Sequence, residues 1–95
     1  MGTVLDSGLT ARFIQVLRIY CYCLDPAGIA DLRDSLRRGR YRWFHDEFTA
    51  ALTTGALGDA MWSGTVGPPI DGTGAEEQRR RLWHVLFPGE KFPTA

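Results

Sequence analysis

Leu9-Thr10-Ala11-Arg12-Phe13-Ile14-Gln15-Val16-Leu17-Arg18-Ile19-Tyr20-Cys21-Tyr22-Cys23-Leu24-Asp25-Pro26 is the stretch on which the fold class turns. Leu9, Phe13, Val16, Leu17, Tyr20 and Leu24 fall at i, i+4, i+7, i+8, i+11 and i+15, a single stripe along an α-helix. The aromatic and β-branched content of Phe13 to Tyr22 also suits a strand, so the two readings compete there. Helix is the reading taken.

Outward from this stretch the punctuation is helical. Asp25-Pro26 supplies an acceptor at N-cap and a proline at N1, where the missing N–H is harmless. A second helix is therefore expected from about Pro26 to about Arg38, with Ile29, Leu32 and Leu36 inward and Gly39 stopping it. Tyr41, Phe44, Phe48, Ala51 and Leu52 repeat at helical spacing before Thr53-Thr54-Gly55, which marks a third helix closed by a C′ glycine. Leu57 to Trp62 reads as a short helical turn, and Ser63 to Gly72, with Pro68-Pro69, as an irregular Gly/Pro-rich loop. Thr73 as N-cap with Glu76 at N3 makes a capping box, and Glu76/Arg80 and Glu77/Arg81 are i, i+4 pairs in the favourable order. Pro88-Gly89 ends this last helix, and Phe92 is expected to fold back onto the body. The pattern predicts an all-α chain: one domain over residues 1–95, a compact bundle of four main helices with the Gly/Pro-rich loop before the last. Its expected core is Leu17, Tyr20, Ile29, Leu32, Phe44, Phe48, Leu52, Leu82, Val85 and Leu86.

Composition narrows the function classes. Eleven basic and 11 acidic side chains cancel, so no global field draws the protein to nucleic acid or an anionic membrane, and any such partner needs a local patch. The most apolar run, Phe13 to Leu24, is broken by Gln15 and Arg18 and is shorter than the ~20 residues of a membrane span. Asp6 before that run and Asp25 after it do not fit a secretory signal, and Asp6 also breaks the myristoylation pattern begun by Met1-Gly2. A cytoplasmic protein is expected. Cys21 and Cys23 would point about 200° apart on a helix, so they read as two buried small hydrophobes in a reducing compartment.

No catalytic constellation assembles from the sequence, and the chain is read as a non-enzyme without metal or cofactor. His45-Asp46-Glu47 sets an imidazole beside two carboxylates, but consecutive helical residues diverge by about 100°. His84 reads as a half-buried structural histidine. Two histidines and a Cys-x-Cys lack the spacing of a zinc site. Ser7, Ser35 and Ser63 sit in no nucleophile elbow, and the glycines of Gly55 to Gly58 and Gly64 to Gly74 match no phosphate-binding loop. Arg37, Arg38, Arg40 and Arg42, interleaved with Tyr41 and Trp43, could stack on bases and contact phosphates, which makes a small nucleic-acid-binding or regulatory subunit the alternative reading. Against it, Arg37 and Arg38 can pair with Asp34, and Asp46 and Glu47 can neutralise the rest. Trp62 is either a plug over the core or an interface anchor.

From Tyr41 onward the chain offers Phe44-His45-Asp46-Glu47-Phe48, then Ala50-Ala51-Leu52 and Gly55, a tryptophan-glycine turn at Trp62 to Gly64, Glu76-Glu77, and Leu82-Trp83 before Leu86-Phe87. This order resembles the small helical immunity proteins of bacterial contact-dependent inhibition and polymorphic toxin systems. The resemblance implies a cytoplasmic, non-catalytic protein that binds the toxin domain of a sister cell and blocks its active site. Many immunity proteins against nucleases are distinctly acidic whereas this chain is neutral, which leaves the toxin class open. For such a protein partner, Tyr41, Arg42 and Trp62 are the candidate contact residues, with Asp59 and Asp71 supplying charge to an Arg- or Lys-bearing target.

Overall fold

In the computed structural model, which describes residues 10–67 and 74–93, the disputed first stretch is helix: α1 runs Ala11–Cys21. Thr10 caps it, its hydroxyl accepting from the Phe13 amide at 3.3 Å. Phe13, Ile14, Val16, Leu17 and Cys21 are all buried, so the helical stripe gains a core face that a strand's alternation would have split. Leu9 lies outside the described residues. A single 3₁₀ turn, Tyr22–Leu24, follows, with Cys23 (φ 58) and Leu24 (φ 51) both left-handed.

The second helix, α2, runs Pro26–Arg37 from an Asp25 N-cap, with the Ala27 amide donating to Asp25 Oδ1 at 3.4 Å, and Gly39 (φ +87) turns the chain away beyond it. The contact that sets α2 on α1 is made at Gly28. A Cβ at this position would lie 2.2 Å from the Tyr20 carbonyl oxygen. Tyr20 belongs to the last turn of α1, whose carbonyls lack intrahelical partners. Only a residue without a side chain lets the α2 backbone close over that oxygen, and the glycine Cα–H takes the place the Cβ would fill.

Helix α3 runs Arg42–Thr54, starting from a left-handed Tyr41 (φ 50) and ending at Gly55 (φ 77). Tyr41 and Tyr20 share a hydrogen bond between hydroxyls at 3.0 Å, which ties this start to α1. Two short connections then lead through α4, Asp59–Val66, to α5, Ala75–Leu86. Glu76 and Glu77 meet Arg80 and Arg81 as the spacing predicts, at 3.5 and 3.3 Å.

The described residues thus hold five α-helices, where four main ones were expected, and the addition is α4. Ser63 to Val66 are helical because Trp62, Thr65 and Val66 form one buried face, and packing overrides the turn signal of Ser63-Gly64. The Thr65 hydroxyl donates to the Met61 carbonyl at 2.8 Å, which satisfies it inside the core. The remainder of the predicted loop, from 68 to 72, lies outside the described residues, as does Thr73. At the start of α5 the N-cap is Gly74, whose carbonyl accepts from the Gln78 amide at 3.1 Å. Among the described residues no helix is long and apolar enough to cross a membrane.

One connected cluster of rings joins three helices. Phe13 of α1 stacks near Phe44 and Phe48 of α3 at 5.1 and 5.7 Å, Phe48 meets Trp83 of α5 at 5.3 Å, and Trp83 meets Phe87 at 4.6 Å. Phe92 does return to the body, 6.4 Å from Trp83 and beneath the Arg80 guanidinium. Leu17, Leu32, Phe44, Phe48, Leu82 and Leu86 are buried as expected, whereas Tyr20, Ile29 and Leu52 are only half-buried against the cluster. Val85 departs furthest, being 43% exposed.

Candidate partner-binding groove between α2 and α5

Val85 is exposed for a reason that its helix phase does not supply. It stands seven residues after Gln78, two turns on and only about 20° away around the axis. Gln78 is 5% exposed, so α5 turns both positions the same way. What differs is the filling opposite. Between α5 and α2 lies an open groove of about 440 Å³ whose apolar wall is Leu24, Pro26, Ile29, Ala30 and Val85. A volume in the range of roughly 300–1,000 Å³ is typical of ligand-receiving clefts. Ile29 is half-buried for the same reason: it faces this space.

The rim is charged. Arg33, Asp34 and Arg37 stand along α2 beside the apolar wall. The Asp34 carboxylate is held by Arg38 Nε at 3.1 Å, which takes the one acid on this rim away from its neighbours. Among the described residues neither Arg33 nor Arg37 has an ion-pair partner, and Arg33 Nε is buried without a hydrogen bond. A buried donor left unpaired costs about 1–3 kcal/mol, and a charged one more. The groove is therefore cationic at its rim and apolar along its floor.

The left-handed turn positions part of this wall. Cys23 and Leu24 at positive φ reverse the chain between α1 and α2, so that Leu24 reaches the groove while packing against the core. Each such residue costs of order 1–3 kcal/mol unless glycine.

The residues singled out from sequence do not converge here. Trp62 is 0% exposed, its indole N–H donating to Gln78 Oε1 at 2.9 Å, so it stands in the core as a plug and offers no contact surface. Asp59 is engaged by Arg79 Nη2 at 3.0 Å, although its side chain remains well exposed. Tyr41 is half-buried and bonded to Tyr20, which raises its phenol pKa above the ordinary value through that hydrogen bond first and desolvation second. Arg42 is exposed, and Asp71 lies outside the described residues. Periodicity alone places Ile29 and Val85 in the core, which hides the groove from the sequence. Its signal was present: Ile29, Ala30, Arg33 and Arg37 line one side of α2 at i, i+1, i+4 and i+8.

Within the basic-aromatic cluster the rings are turned to the protein. Trp43 packs against Tyr41 and Phe44 at 5.9 and 6.2 Å, and the Arg12 guanidinium lies 4.4 Å from its ring centre. Base stacking on Trp43 would have to displace Arg12, which is itself held by Glu47 with Nε at 2.7 Å. Glu47 also accepts from the Thr10 hydroxyl. His45, by contrast, reaches Glu90 Oε1 through Nε2 at 2.8 Å, with the Phe87 ring edge-on at 4.7 Å, and Asp46 is 91% exposed. His45 Nδ1 also lies 3.5 Å from Asp46 Oδ1, so these two neighbours do meet despite their divergence on the helix, while Glu47 is held apart by Arg12 and Thr10. Among the described residues no three His, Cys, Asp or Glu side chains are grouped as a metal ion would require.

Two residues stand elsewhere than their sequence context suggests. His84 is exposed rather than half-buried, because α5 turns its neighbours Leu82, Trp83 and Leu86 inward. Cys23 is likewise exposed, since the left-handed turn swings it out, while Cys21 remains buried. Burial pushes the Cys21 thiol up to about 12, leaving almost none of the nucleophilic thiolate at neutral pH. Alkylation of the folded protein by iodoacetamide at pH 8 should therefore modify Cys23 alone, with Cys21 reacting only after denaturation. Peptide mass mapping reads this directly, and equal labelling of both would mean that α1 opens at its C-terminus.

No family model, curated protein or solved structure is significantly similar to this chain.

Proposed function

We propose that the chain is a non-catalytic protein-binding module, of the kind that neutralises a toxin domain by occupying it, and that the groove between α2 and α5 is its contact surface. The observation that carries this reading is the groove itself: core-phase residues Ile29 and Val85 left uncovered beside Arg33 and Arg37, two cations without ion-pair partners among the described residues. A contiguous apolar floor with a charged rim is the composition of a binding face. The resemblance of Phe44 to Phe48, Trp62 to Gly64 and Leu82 to Phe87 to immunity proteins supplies the toxin as partner, and it rests on those residues alone.

The nucleic-acid alternative keeps one favourable observation, the free arginines Arg37, Arg40 and Arg42, none of which has a carboxylate partner among the described residues. It loses the stacking surfaces, because Tyr41 and Trp43 are occupied by the protein's own side chains. The protein-binding reading is preferred on that ground.

The test is co-expression. A reading frame encoding a large secreted protein with a variable C-terminal toxin domain should adjoin this one, and cells expressing that domain should survive only when this chain is present. Absence of such a neighbour, or death of the co-expressing cells, overturns the toxin assignment.

A further inference from the structure

We propose that the α2–α5 groove receives an acidic amphipathic segment of the partner protein, with an Asp or Glu carboxylate between Arg33 and Arg37 and an apolar side chain on Leu24, Ile29 and Val85. The inference rests on the protein-binding reading and deepens it by stating the chemistry of what is bound.

Charge complementarity selects the occupant. With Asp34 taken by Arg38, the cations facing the groove are answered by no acid among the described residues, and a carboxylate is the side chain whose two oxygens match a guanidinium fork. Arg33 makes the demand specific. Its Nε is shielded from solvent, but its terminal nitrogens are not, and no acid among the described residues meets them, so they are the donors an incoming carboxylate reaches. The floor adds a second requirement. Val85 shares the inward phase of buried Gln78, and Ile29 stands one turn before fully buried Leu32, so the floor continues the protein's own core face and asks for an apolar residue. Acid and apolar groups side by side describe an amphipathic peptide segment laid into a groove, a recurrent mode of recognition.

The same features argue against a phosphate-bearing polymer as occupant. Its backbone would set its anions on the arginines while leaving Leu24, Ile29 and Val85 against water, and salt would weaken the contact steeply.

A random peptide library displayed on phage, panned over the intact chain and over the double variant Arg33→Glu/Arg37→Glu, tests the proposal. The unaltered chain should enrich peptides with Asp or Glu next to Leu, Ile or Phe, and the charge-reversed variant should instead enrich Lys or Arg in the same setting. A synthetic consensus peptide, followed by fluorescence anisotropy, should bind Arg33→Glu and Val85→Asp at least about tenfold more weakly, the size of a central contact. Arg37 is exposed, so Arg37→Glu leaves the fold intact and should weaken binding on its own even if the Arg33 substitution disturbs α2. Unchanged thermal melts confirm that each variant is folded.

The proposal falls if no peptide is enriched, if the enriched peptides lack carboxylates, or if they bind the variants as well as the unaltered chain. It also falls if the chain sediments as a dimer that Val85→Asp converts to monomer, because a second copy then fills the groove. Failure here is separable from failure of the toxin assignment. Rescue that persists in Arg33→Glu/Arg37→Glu removes the groove but keeps the neutralising role; acidic peptides selected without any rescue keep the groove and remove the toxin.

Discussion

Gly28→Ala is expected to destabilise the protein by about 3 kcal/mol and to lower its Tm by at least about 12 °C. On a solvent-facing helix the same change would stabilise, because alanine exceeds glycine in helix propensity by about 1 kcal/mol. At Gly28 the sign is reversed by geometry: the new Cβ would lie 2.2 Å from the Tyr20 carbonyl oxygen, a backbone atom that no rotamer change can move aside. The two helices must part, and with them the short connection through Tyr22–Leu24. Gly64→Ala is the matched control. Gly64 lies inside α4, and its Cβ would meet nothing within 4 Å, so this variant should gain about 0.5–1 kcal/mol. Thermal melts of the two variants should move in opposite directions, and a common direction would show that α1 and α2 are not set by this approach.

The other large effect belongs to Trp62. Its replacement by alanine removes the largest wholly buried side chain and should cost about 3–5 kcal/mol, enough to threaten folding in a domain whose whole stability is of order 5–15 kcal/mol. The indole bond to Gln78 is tested more finely by a cycle. Gln78→Leu alone strands the buried indole N–H and should cost about 1–3 kcal/mol, whereas Trp62→Phe with Gln78→Leu removes both partners and recovers part of that loss. Strictly additive single and double variants would mean that the 2.9 Å contact carries no coupling. Because this residue governs stability, a Trp62 variant that fails to rescue cells says nothing about contact with a toxin. On the proposed reading, exposed Arg37 and Val85 are the positions at which binding can be altered while the fold is kept.

Periodicity and caps made most of the helices legible. Asp25-Pro26 and Gly39 bound α2 within a residue of expectation, and Gly55 closes α3 as read. The helix α4 was not legible, since Ser63-Gly64 is a turn signal locally and only the burial of Trp62, Thr65 and Val66 against other helices overrides it. Cys23 was misplaced for a related reason: periodicity extends a helix through Tyr22, whereas the chain must reverse there to bring Gly28 over Tyr20. The groove was the hardest feature to see. Hydrophobic phase states which way Val85 and Ile29 face, and it is silent on whether the chain has anything to put opposite them. A periodic residue left open is indistinguishable, in sequence, from one that is covered.

The left-handed pair Cys23 and Leu24 bears on how such a protein can change over generations. Glycine at either position would relax the turn, but only at exposed position 23 would selection for thermal endurance alone favour it. At position 23 that exchange touches an exposed thiol and leaves the groove wall in place. At position 24 it removes the isobutyl group that builds the wall and packs against the core, so the strain relieved is offset by the burial lost. The two neighbouring codons therefore differ in evolutionary freedom: the first is open to drift toward glycine, and the second is held by the core and, on the proposed reading, by the partner.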